Sequence, residues 1–218
     1  MRVAFRSMVL LVVLSLVECF SGPARAQEPA QMLQQGLGPQ FMVFRDKVQE
    51  RLKVSDDQKK KKLQEPLEGF IKEMTEVFQS LDGVKPEERE KKIGPYRQKA
   101  HQKLAAFLKE TLKEEQLKQL RQLVLQQEGL FALGHPEVMA ELKVTDEQKK
   151  QFISVVQELQ RKIEPLFQEA QSAGNPQEIG PKVMKLHKQY EGKIDGILSD
   201  GQKKHWKEML GEPFDLGD

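Results

Sequence analysis

Residues 142–150 read Leu142-Lys143-Val144-Thr145-Asp146-Glu147-Gln148-Lys149-Lys150, and ninety positions earlier the chain reads Leu52-Lys53-Val54-Ser55-Asp56-Asp57-Gln58-Lys59-Lys60. Seven of these nine positions are identical, and the other two are Ser/Thr and Asp/Glu exchanges. The chain is therefore an internal duplication, and its fold must be two copies of one unit. Pro86 and Pro176 keep the offset of ninety, whereas Ile93-Gly94-Pro95 and Ile179-Gly180-Pro181 are 86 apart. One four-residue deletion separates the copies between these points. That is close to one helical turn, and losing a whole turn leaves the apolar face where it was.

The repeated stretch has the form of a helix start. In Ser55-x-x-Gln58 and Thr145-x-x-Gln148 the hydroxyl can accept from the backbone N–H three residues on, while the Gln side chain reaches back to the cap N–H. The acidic residues between them lie in the first turn, where the helix dipole favours negative charge. Leu52, Val54, Leu142 and Val144 are expected to anchor the incoming chain. Two further copies follow, Leu112-Lys113-Glu114-Glu115-Gln116 and Leu198-Ser199-Asp200-Gly201-Gln202, again 86 apart. The first of these has Lys113 where a hydroxyl is expected. Thr111 with Glu114 offers a substitute one residue off register, or the helix simply continues.

Beyond each box the apolar residues recur at spacings of three and four, the period of an amphipathic helix. Leu63, Leu67, Phe70, Ile71, Met74, Val77, Phe78 and Leu81 mark the first, with Pro66 expected to kink it and Asp82-Gly83 to end it. A second helix starts near Pro86, is interrupted at Ile93-Gly94-Pro95, and resumes through Phe107 and Leu108. The other copy repeats the plan with Phe152 to Ala170, a kink at Pro165, a hairpin loop over Ser172–Pro176, and Val183 to Leu198. Strand patterns are nearly absent. The expected fold is all-α, two tandem helical hairpin units of long amphipathic, partly kinked helices. Their expected limits are residues 41–132 and 133–211, with a flexible arm over 27–40, where Gly36 and Gly38 lie, and a tail over 212–218.

Residues 1–26 read as a Sec-type signal peptide. Arg2 and Arg6 precede an apolar run from Met8 to Phe20, and Ala24-Arg25-Ala26 offers small residues at the cleavage positions. The run is about 13 residues, short of the roughly 20 that span a bilayer. Of 35 Lys+Arg and 33 Asp+Glu, this segment holds Arg2, Arg6, Arg25 and Glu18, which leaves 32 of each. A neutral remainder has no net basic pull toward nucleic acid or anionic lipid. The single cysteine, Cys19, also lies in this segment, so the exported chain is expected to have neither disulfide nor cysteine metal site.

The pattern [Leu/Val]-[Ser/Thr]-x-x-Gln, twice per unit of about 90 residues and at helix starts, resembles the LTxxQ motif of the Spy/CpxP family. Val144–Phe152 and Leu198–Lys204 carry the likeness best, and as two consecutive copies it covers most of residues 48–210. The resemblance implies a periplasmic or secreted helical protein with an envelope-stress role. Spy-like members act as ATP-independent chaperones that hold partly unfolded clients on a cradle-shaped dimer. CpxP-like members restrain a sensor kinase, and some relatives bind zinc. Carrying two units, one chain is expected to form the cradle as a monomeric pseudo-dimer.

The residues themselves offer little reaction chemistry. His101 and His187 occupy one place in the two copies and can share a zinc ion only if the copies bring them together; neither has a His or Cys at metal-ligand spacing on its own helix. No carboxylate pair, nucleophile context or phosphate-cradling glycine loop stands out, so no enzyme and no cofactor are expected. Two functions compete. One is a chaperone for partly unfolded envelope proteins, with Phe70, Met74, Phe78, Phe107, Phe167 and Met184 as candidate client contacts through adaptable apolar surface. The other is a structural or regulatory module docking one defined envelope partner. Neither involves nucleic acid or membrane insertion.

Overall fold

A computed structural model describes residues 29–58, 63–81, 84, 86–173 and 179–215. The expected signal segment lies outside them, as do Asp82-Gly83 and most of the expected hairpin loop after Ser172. Every regular element among the described residues is helical, which establishes the all-α class. In chain order these are α1 (Pro29–Leu37), a 3-10 turn (Pro39–Phe44), α2 (Asp46–Arg51), α3 (Asp56–Gln58), α4 (Gln64–Gln79), α5 (Pro86–Thr111) and α6 (Glu114–Glu128). A second 3-10 turn (Gly129–Gly134) precedes α7 (Pro136–Glu141), α8 (Asp146–Ala173), α9 (Ile179–Asp195) and α10 (Asp200–Leu210). No described helix is long and apolar enough to cross a membrane.

The chain divides into two compact units, the first running to Val124 and including Phe214, the second covering Leu125–Pro213. This break lies earlier than the expected boundary at 132/133, and α1 explains why. The 3-10 turns Pro39–Phe44 and Gly129–Gly134 stand ninety residues apart, so each unit enters through a helix, a 3-10 turn and a short helix. In the first unit the entering helix is α1. In the second the last residues of α6 serve, and Leu125 joins Leu130, Leu133, Val138 and Met139 in that unit's core.

The segment expected as a flexible arm is therefore a packed helix. Ala30, Leu33 and Leu37, spaced three and four apart, are buried. Gly36 permits close approach: a Cβ there would lie 3.1 Å from the Met74 sulfur. The glycine reflects packing rather than punctuation. Similarly, Phe214 in the expected tail packs against the first core, and the Arg51 guanidinium lies 5.6 Å from its ring centroid.

Prolines fall where the backbone tolerates them. Pro66 is the third residue of α4, directly after the π-type turn that ends at Leu63. Pro95 does not interrupt its helix as expected; α5 runs through it. Pro95 and Lys91, whose carbonyl loses its donor, are exposed while neighbouring Ile93 is buried, so water can satisfy the freed group. In the shorter second copy α9 starts at Ile179, so Pro181 lies in its first turn. Pro165 lies inside α8 as expected, and that helix continues to Ala173, through the first part of the expected loop.

Each unit has its own apolar interior. In the first, Phe41 meets Phe70 edge-on at 5.1 Å between centroids, and Leu104, Leu108 and Met74 close around them. In the second, Phe152, Val156 and Trp206 lie with Leu142, Val144 and Leu198, while Leu159, Ile163, Val183 and Tyr190 form a seam between α8 and α9.

Candidate functional site: paired glutamine clasps

The repeated motif is where the sequence singled out residues, and in the second unit two copies of it meet. Thr145 and Gln148 form the expected box: the Gln148 N–H donates to Thr145 Oγ1 at 3.2 Å and the Thr145 N–H to Gln148 Oε1 at 3.0 Å. Ser199 and Gln202 form the same box, at 3.3 and 2.9 Å. Each glutamine still has an NH2 group to spend. Gln148 Nε2 donates to the Ile197 carbonyl at 2.8 Å, beside the other motif. Gln202 Nε2 donates to the Leu142 carbonyl at 3.1 Å and the Lys143 carbonyl at 3.4 Å. The two amides also bond to one another, at 2.8 and 3.0 Å. One side chain thus caps its own helix start and the end of the chain segment entering its partner motif.

That entering segment has an uncommon shape. Lys53 and Lys143, ninety positions apart, are the positive-φ non-glycine residues of the described chain, at 51° and 52°. Each terminates a short helix. The Lys143 N–H donates to the Ala140 carbonyl and the Val144 N–H to the Met139 carbonyl; Lys53 to Glu50 and Val54 to Gln49 repeat the pattern. This is a Schellman ending with lysine where glycine is usual. The left-handed backbone turns the Leu142 and Lys143 carbonyls toward Gln202.

The first unit builds the same contact with a weaker motif. Gln116 Oε1 accepts from the Lys113 N–H at 2.9 Å, and its Nε2 donates to the Leu52 and Lys53 carbonyls at 3.0 and 3.3 Å. The helix does not run on from Thr111: α5 stops there, α6 starts at Glu114, and the cap sits at Lys113 in register with the other three copies. Half of the box survives without a hydroxyl because Gln116, itself buried, supplies it. The side chain of Gln58 lies outside those described. Leu52, Val54, Leu112, Leu142, Val144 and Leu198 are buried, as their anchoring role requires.

The two histidines repeat a packing contact. His101 lies 5.8 Å from Phe41 and His187 5.1 Å from Phe131, ring centroid to centroid. His101 Nε2 is 2.5 Å from the Leu37 carbonyl of α1. His187 Nε2 is buried with no hydrogen-bond partner, and burial holds the imidazole below its usual pKa, with Glu191 pulling the other way. Among the described residues no group of three or more His, Cys, Asp or Glu is placed to hold a metal ion.

The candidate client contacts separate into three groups. Phe70 and Met74 are core residues under α1, which corrects their assignment to an open face. Phe107 is partly buried against the same core. Phe78 and Met184 are exposed, at 43% and 72%. The side chain of Phe167 lies outside those described. One polar cluster went unforeseen: buried Tyr190 donates to Glu158 at 2.8 Å, and Lys193 bonds both Glu158 oxygens at 2.9 Å while lying 4.2 Å from the Tyr190 ring centroid. Lys193 and then Tyr190 hold Glu158 below the usual carboxylate range.

No family model matches the chain, and no curated protein or solved structure is significantly similar to it.

Proposed function

We propose that this protein is an exported, ATP-independent chaperone of the Spy type, which holds partly unfolded envelope proteins along its helices without a catalytic step. The observation that carries this reading is the paired clasp. The LTxxQ-like residues recur in both units, and in the two clasps described their glutamines tie helix ends together. Their chemistry is spent on framework, which leaves the hairpin helices as the working surface. Phe78 on α4 and Met184 on α9 supply exposed, adaptable apolar contact on those helices.

The burial of Phe70 and Met74 favours a second reading, a CpxP-like module that docks one defined partner, because it shrinks the apolar surface offered to varied clients. Suppression of aggregation distinguishes the two. The exported chain, without ATP, is mixed with several unrelated denatured proteins. Protection of all of them at near-stoichiometric amounts is the expected result. Protection of none, with one protein retained from envelope extract, would replace the chaperone by the docking module.

A further inference from the structure

The two histidines that share one place in the duplication are seated differently. His101 of the first unit spends Nε2 on the Leu37 carbonyl, 2.5 Å away. His187 of the second has Nε2 buried with no hydrogen-bond partner, and its ring lies against Phe131. Glu191, four residues on, lies one turn further along the same side of α9. Its carboxylate accepts from the Leu130 N–H at 3.4 Å, and a Cβ on Gly129 would strike it, so it sits directly on the start of the 3-10 turn Gly129–Gly134. Phe131 of that turn is partly buried against both the core around Phe152 and the seam between α8 and α9. The first copy lacks this arrangement: Ala105 stands where Glu191 does, and Pro39 where Gly129 does.

We propose that His187, Glu191 and this turn form an acid-operated latch: a proton taken up by the His187 imidazole draws the Glu191 carboxylate off the Leu130 N–H, and Phe131 comes free of its seat. A buried imidazolium is costlier than a buried neutral ring. Burial accordingly holds the folded His187 below its usual value, with Glu191 pulling the other way. The closed turn binds the proton less readily than the open one, so acid favours opening. The other charges around the ring do not hold the latch shut. Glu128 and His135, at the two ends of the turn, are bonded to each other, and a charge on His135 tightens only that pair. On α8, Glu158 is committed to Tyr190 and Lys193. Arg161, Lys162 and Glu164 of α8 and Lys185 and Lys188 of α9 are exposed, where water and salt screen them. His101, when charged, still donates to the Leu37 carbonyl, so the first unit keeps its turn while the second opens. Under the chaperone reading the freed Phe131 adds apolar surface in acid, but the latch itself does not rest on that reading.

Amide hydrogen exchange of the full exported chain, corrected for the intrinsic effect of pH, tests it. From about pH 7.5 to about pH 5, opening over Leu130–Gly134 should increase by up to about tenfold per pH unit, the limit for one linked proton. Opening over Gln40–Phe44 in the first unit should stay as it was. His187→Leu and Glu191→Gln should each blunt the increase, whereas His135→Asn should leave it intact. Unchanged melting at about pH 8, where the usual imidazole is neutral, verifies the fold of each variant. If His187→Leu does not fold, Glu191→Gln carries the test, since its amide oxygen still offers the Leu130 N–H an acceptor. An acid response equal in the two units would overturn the latch, as would one that survives in Glu191→Gln or His187→Leu or vanishes in His135→Asn. No client enters these measurements, so failure of the latch and failure of the chaperone reading are told apart.

Discussion

Gln148 and Gln202 hold each other by reciprocal amide bonds of 2.8 and 3.0 Å, although 54 residues separate them. Each also caps its own helix through Oε1 and grips a main-chain carbonyl of the partner motif through Nε2. Removing one therefore unties two helix ends at once. Gln202→Ala should destabilise the protein by about 1–3 kcal/mol, since it orphans carbonyl groups in a partly buried place. Gln148→Ala should cost a similar amount, and the double variant should cost less than the sum. Denaturant unfolding of the three variants measures the coupling; strict additivity would dissolve the clasp as a unit.

The caps make a graded series. Thr145→Ala should cost about 1 kcal/mol by removing the hydroxyl that accepts the Gln148 N–H. Lys113→Ser should do the reverse in the first unit, adding a hydroxyl at the N-terminus of α6 and stabilising by about 1 kcal/mol. Thermal melting reads both. If Thr145→Ala abolished activity with melting unchanged, the motif would be a binding site rather than a joint.

Lys53 and Lys143 sit in the left-handed region that glycine occupies without strain. Lys143→Gly should therefore stabilise by about 1 kcal/mol while leaving the Gln202 bonds to Leu142 and Lys143 in place. A loss of stability in denaturant unfolding would mean that the lysine side chain contributes more than its backbone costs.

Burial keeps His187 below the usual histidine value of 6.5, so the unfolded chain binds the proton more readily than the folded one. Stability then rises with pH across the window: the contribution is fully present above 6.5 and is lost as pH falls from there through the depressed folded value. Unfolding followed from about pH 8 to pH 5 should show this slope, and His187→Leu should flatten it. An unchanged slope in the variant would assign it to other groups.

Much of this framework was legible in the sequence. The all-α class followed from period and composition. The boxes at Thr145 and Ser199 followed from spacing alone, because a cap is made by residues three apart. The prolines were legible only in part: Pro95 reads as a break, yet the helix runs through it, with Ile93 buried beside it and Lys91, whose carbonyl loses its donor, exposed.

What the sequence by itself determined, then, is the duplication, visible as repeated residues, and features whose partners lie within one or two helical turns: the helix starts and the amphipathic faces. The tertiary structure decided the rest, because its partners are remote. The amide of Gln202 reaches a carbonyl 60 residues away, and no local pattern states which carbonyl. Gly36 reads as flexible until Met74 is laid against it. Phe70 and Phe78 share one helix and one period, yet α1 and Phe41 bury the first, while the second, whose ring edge lies near Gly36 of α1, stays 43% exposed. Burial depends on what arrives from elsewhere in the chain, and that is set by packing rather than by spacing.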